Sequence, residues 1–251
     1  MLDRSDLFMY LLPLVLILTG VYIFSPQIDY KWYSKHPSRL NKKDRLLLEK
    51  ISGFYSSLDE QEKERFEKRA YVYMRSKEFK LIQDETKSMP EDIKLMIVAN
   101  AIQLTFGLED YQYGHYDRYF AYMHAFPSPK KKFLHSVEVD TEDKMAIFNI
   151  EVLTLGMNPN NNFFNIGLYA FAIIFLDINS NKYLDITEDK HIWEKINEFD
   201  NMDKEKITNI IGYEPPSVIP VIITLFFMNK KKFAEVFPEY YDKFISIFNI
   251  S

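Results

Sequence analysis

The sequence predicts a predominantly helical α+β protein with a small, mostly antiparallel sheet leading into a buried core helix, and one transmembrane helix at the N-terminus. Three observations predict it. Leu7–Phe24 (LFMYLLPLVLILTGVYIF) runs for 18 residues without a charge. Between Tyr111 and Leu155 the helical spacing of apolar residues gives way to short runs of β-formers. Asn165–Leu176 (NIGLYAFAIIFL) is apolar on nearly every face yet too short to cross a bilayer, which marks a helix inside a core.

The N-terminal run reaches about 27 Å as a helix, close to the roughly 30 Å of a bilayer's hydrocarbon core. A cleaved signal peptide fits less well. The start carries Asp3, Arg4 and Asp6 rather than a basic stretch, and Gly20–Ser25 offers no small-residue cleavage site. The flank that follows holds Lys31, Lys35, Arg39, Lys42, Lys43 and Arg45 against Asp44 alone. That asymmetry predicts a single-pass anchor with the body in the cytoplasm. The expected organisation is therefore an anchor over 1–25, a basic juxtamembrane connector over 26–44, and one domain over 45–251.

Composition narrows the function classes. The chain has 251 residues, formal net charge −5 and no cysteine. An acidic balance without a basic stripe speaks against nucleic-acid binding. Absence of cysteine removes disulfides, thiol nucleophiles and zinc–thiolate sites together. Aromatic residues make up 16%, enough to fill a sizeable core, and only seven glycines occur.

Within the body a helix is expected over Asp44–Gly53. Ser57-Leu-Asp-Glu60 and Ser88-Met-Pro-Glu91 read as capping boxes that start two more helices. Phe66, Ala70 and Tyr73 form the buried stripe of the first, and the charges between Glu60 and Arg69 read as its solvated face. Ile93, Met96, Ile97, Ala101 and Leu104 form the buried face of the second, which Gly107 ends. Strands are expected in Tyr119–Phe126, Phe133–Val139 and Met145–Leu153, and a loop in Asn158–Asn162. Asn165 is placed to cap the core helix. Further helices are expected in His191–Phe199, Ser217–Met228 and after Phe237.

The core helix resembles the active-site helix of the Mlc-titration-factor A (MtfA)-like zinc peptidases, which reads N-[IVL]-x-[IVL]-H-E-F-x-H. Asn165, Leu168 and Phe171 fit that pattern. Phe54, Tyr55, Leu58 and Phe66, followed by EDIKLMIVANAIQLTFGL, are similar to the family's N-terminal half. Nine residues separate Phe227 from Phe237-Pro-Glu-Tyr-Tyr241, as in its C-terminal part. The resemblance implies a zincin-like core helix whose histidines bind one zinc, while the glutamate activates the bound water. Here the first histidine falls on Tyr169, the glutamate on Ala170, the second histidine on Ile173 and the third ligand, a glutamate, on Thr224. The resemblance thus implies a pseudo-peptidase with no metal or other cofactor, acting as a binding or regulatory module on a protein or peptide partner.

Two alternatives stand beside it. One is an active membrane peptidase holding zinc through other ligands, although no two of the five histidines are four residues apart. The other is a calcium-binding module. Asp177-Ile-Asn-Ser-Asn-Lys-Tyr-Leu-Asp-Ile-Thr-Glu188 approximates an EF-hand loop through Asp177, Asn179, Asn181, Asp185 and Glu188, with Lys182 where the turn needs glycine.

Overall fold

The Asn165 side chain starts the helix around which the rest is packed. Its Oδ1 accepts from the backbone N–H groups of Gly167 (2.9 Å) and Leu168 (3.1 Å), two of the donors that a helix's first turn leaves without partners. The computed structural model describes residues 4–82, 88–158, 162–180, 191–199 and 202–250, with side chains of the first helix described at 11–21 and from 29 on. In chain order these form α1 (Arg4–Lys35), α2 (Lys42–Ile51), α3 (Gly53–Ser57), α4 (Glu60–Ser76), β1 (Glu78–Leu81) and α5 (Glu91–Leu104). Then come β2 (Arg118–Tyr122), β3 (Val137–Asp140), β4 (Met145–Asn149), α6 (Ile150–Met157) and α7 (Ile166–Ile178). The last five helices are α8 (Ile192–Glu198), α9 (Lys204–Ile211), α10 (Ile219–Met228), α11 (Lys230–Val236) and α12 (Pro238–Phe248).

The helix α7 lies between α5 and α10 and against β3 and β4. It is apolar all round because it has neighbours all round. Asn100 on α5 joins this core: its Oδ1 accepts from Asn165 Nδ2 (2.8 Å), and its own Nδ2 donates to Met96 O (2.8 Å). Gly167 makes room for it, since a Cβ there would stand 2.4 Å from Asn100 Nδ2. On the sheet side, Tyr73, Tyr113, Tyr119 and Phe171 pack ring against ring. The Tyr73 and Tyr119 hydroxyls bond each other, and Tyr113 donates to Ala101 O (2.9 Å). At the other end, Phe226 touches Phe227, Phe233, Phe244 and Phe248. Asn249 closes that end by donating to Gly107 O (2.8 Å).

Several expectations are corrected. The sheet is mixed: its order is β1-β2-β4-β3, with β1–β2 and β2–β4 parallel and only β3–β4 antiparallel. The passage through α5 carries the chain back to the same end before β2, so β1 and β2 run together. Only the short turn after Asp140 makes a hairpin, its carboxylate accepting from the N–H groups of Glu142 and Asp143 (3.0 Å each). The strand expected to run to Leu153 stops at Asn149, whose side chain caps α6. Asp59 rather than Ser57 caps α4, in a capping box with Glu62. Pro90 precedes α5 without a side-chain cap bond.

The membrane span is also corrected. The chain is helical across Leu7–Phe24, and apolar side chains from Leu11 to Val21 are exposed. Among the described residues no helix is long and apolar enough to cross a membrane. The single-pass anchor and the cytoplasmic placement of the body lose their basis together. Within the stretch expected as a connector, α1 continues to Lys35. Tyr33 packs edge-on against Tyr71 (6.0 Å between centroids), and Arg39 is drawn into α4.

Candidate functional site

The four positions aligned with a zinc site are spent on packing. Tyr169, Ala170 and Thr224 are buried, and Ile173 is partly buried against the same core. The helices that carry them, α7 and α10, lie side by side. Thr224 Oγ1 donates to Pro220 O (2.7 Å) one turn back in its own helix, so the hydroxyl is already committed.

Tyr169 differs from the other three because its hydroxyl is a polar atom in this packing. Its ring lies 5.7 Å from Phe164, and its hydroxyl is buried without a hydrogen bond of ordinary geometry. Burial raises its pKa far above the ordinary phenol value, and the neighbouring Tyr213 adds to the rise. Tyr213 is itself raised by burial and by the negative charge of Glu138.

Beyond Tyr213 stands a buried imidazole–carboxylate pair. His135 Nε2 is 2.7 Å from Glu138 Oε2, and His135 Nδ1 is 2.9 Å from Phe133 O. A carbonyl can only accept, so Nδ1 carries a hydrogen. Lys131 Nζ approaches Glu138 at 3.9 Å and lies 4.8 Å over the Tyr213 ring. The chain segment bearing Tyr213 is held close by Gly212 (φ +96°), where a Cβ would stand 2.5 Å from His135 Cα. Ser136 N–H donates to Ile211 O (2.7 Å). The start of β3, the sheet edge beside α7, is therefore covered by 211–213.

The calcium-like loop is only partly described. Asp177 Oδ2 accepts from Lys144 Nζ (2.6 Å) and Tyr116 O–H (2.9 Å). Asn179 Nδ2 donates to Phe175 O (2.9 Å) at the end of α7. Asn181, Asp185 and Glu188 lie outside the described residues. Among the described residues no group of three or more His, Asp or Glu side chains is placed to hold a metal ion.

Two features escaped the sequence. The first is Glu67, which sits in the charge run of α4 yet is completely buried. Its two oxygens accept from Arg39 Nε and Nη2 (2.8 Å each), and Tyr55 O–H donates to Oε1 (2.8 Å). Its signal was positional: Glu67 precedes Ala70 by three residues and so shares the apolar stripe. The second is a cavity of about 640 Å³ at the N-terminal end of α7. Its walls come from chain segments more than 190 residues apart, from Ile51 to Ile250, so no local motif announces it.

Fold and site together define a mostly helical α+β protein with a small mixed sheet and a central helix pair closed by packing. The chain matches no protein-family model, no curated protein and no solved structure. The likeness to MtfA-like peptidases rests on the residues of the chain alone.

Proposed function

We propose that the chain is a non-catalytic binding or regulatory module, a peptidase-like scaffold that has lost its hydrolytic centre. One observation carries this reading: the positions where the resemblance places two zinc ligands and the catalytic base, Tyr169, Thr224 and Ala170, are fully buried between α7 and its neighbours. Hydrolysis needs an open metal position with room for water and substrate. Ala170 offers no base, and the Thr224 hydroxyl is turned onto Pro220. A peptide adding to β3 would meet a Ser136 N–H already bonded to Ile211 O, so the reading favours a partner that does not extend this sheet edge.

The test is metal content and peptidase activity of the full chain, purified without chelator and without an affinity histidine tag. The expected result is far less than one zinc per chain, a melting temperature unmoved by chelation, and no cleavage of an unfolded protein substrate. Stoichiometric zinc with chelator-sensitive cleavage would overturn the reading.

A further inference from the structure

The cavity at the start of α7 carries a chemistry that the packed helix pair does not. At about 640 Å³ it falls in the size range of sites for small organic ligands. Phe54, Phe106 and Phe227 supply aromatic wall, and Arg65 and Lys230 stand on its border. The Arg65 guanidinium lies 4.0 Å over the Phe106 ring. Neither cation makes an ion pair with a described residue.

Lys230 is the telling one. It is half-buried, and burial lowers its pKa, with only Glu62 pulling the other way. Glu62 is already engaged, since its Oε2 accepts from the Asp59 N–H (3.1 Å) in the α4 capping box. A partly desolvated ammonium with so little counter-charge is a cost to the fold that an incoming anion removes. Glu62 and Arg65 are three residues apart on one face of α4, and Glu62 acts on Lys230. Glu62, Arg65 and Lys230 all line this one cavity.

We propose that this cavity binds an amphipathic anion, with an aromatic body against Phe54, Phe106 and Phe227 and a carboxylate or phosphate head between Arg65 and Lys230. The aromatic walls supply apolar area and leave orientation to the two cations. A guanidinium can meet a planar or tetrahedral oxyanion with two N–H groups at once. This deepens the binding-module reading by naming a ligand class, and it rests on that reading only in taking the chain to act by binding. The two tests fail separately: a zinc-bearing peptidase would leave the titrations below unchanged, and failed titrations would leave the metal assay unchanged.

The experiment is isothermal titration of the full chain with 1-naphthyl phosphate, 1-naphthoate and 1-naphthol. These share one aromatic body and differ in the head. At least one anion is expected to bind one to one, about tenfold or more tighter than the neutral naphthol, and to weaken as salt is added. The tighter anion identifies the head group. Lys230→Gln and Arg65→Gln should each weaken that anion about tenfold, the loss of one charge-assisted hydrogen bond, and leave naphthol binding unchanged. Lys230→Met, which keeps the apolar stem, is the second variant should the glutamine substitution disturb folding. Equal affinity for all three probes, no binding of either anion, or variants that bind as the parent does would each overturn the proposal.

Discussion

Two faces of α4 handle charge in opposite ways. On one, Glu67 is buried and its carboxylate is fully engaged: two bonds from Arg39, one from Tyr55. On the other, Arg65 borders a cavity that Lys230 of α11 and the already engaged Glu62 also line. The same helix thus shows what a charge does when the fold uses it and what it does when the fold leaves it available. A buried charge with all its partners fixes geometry: here it fastens the segment before α2 to the body. Cations without an ion pair among the described residues, at a cavity mouth, give little to stability and keep their capacity for a ligand.

The comparison breaks if the first face proves dispensable. Glu67→Ala should destabilise the chain by about 3 kcal/mol, because Tyr55 loses its acceptor and Arg39 its principal partner. Chemical denaturation at pH 7 measures this, and a loss under about 1 kcal/mol would show that the clamp is ornamental. The same group carries a pH signature. Burial pushes the Glu67 carboxyl up, but the hydrogen bonds from Arg39 and Tyr55 outweigh it and hold the pKa below its ordinary 4.5. A depressed folded-state pKa contributes stability above the unfolded value and loses it as pH falls through the folded one. The stability gap between the parent chain and Glu67→Gln should therefore be widest near neutrality and narrow below about pH 4.5. A gap that stays constant to pH 3 would show that the carboxylate's charge is not what holds Arg39.

A neutral network gives the intermediate case. Asn100→Ala removes the acceptor for Asn165 Nδ2 in the core and should cost about 2 kcal/mol, read from the same melts. Smaller effects sharpen the other side of the comparison. Tyr169→Phe deletes a buried hydroxyl without a hydrogen bond, so stability should hold or rise, within about 1 kcal/mol. A clear loss would place that hydroxyl in a working bond with Tyr213. Lys230→Gln should leave stability within about 0.5 kcal/mol, while its effect appears in ligand titration.

Helices with a complete local signature were legible in the sequence. Asn165 before a continuous apolar run predicted α7 and its cap, and the spacing from Ile93 to Leu104 predicted α5. What was hidden depended on partners far along the chain. Glu78–Leu81 is four residues long, too short to signal β1 before Arg118–Tyr122 is known to lie beside it. Without β1, the βαβ passage was invisible and the sheet read as antiparallel. Glu67 was hidden by its neighbours: charges at Glu60, Glu62, Lys63, Glu64 and Arg65 made the whole stretch look solvated. The Tyr169–Tyr213 approach and the cavity are products of tertiary packing. The N-terminal run was read by length and apolarity as a membrane span, and among the described residues no helix is long and apolar enough to be one.

The bond from Asn249 to Gly107 joins positions 142 residues apart, and a Cβ on Gly107 would stand 2.1 Å from Asn249 O. The fit is so close that α5 and the end of α12 must settle together. During synthesis, at about 5–20 residues per second, Gly107 is made roughly 7–30 s before Asn249. Early in that interval the nascent chain holds a completed α5 before α7 and α10 are made, and throughout it the clasp from Asn249 is missing. Closure of this end of the fold therefore waits for Asn249, however fast α5 itself forms.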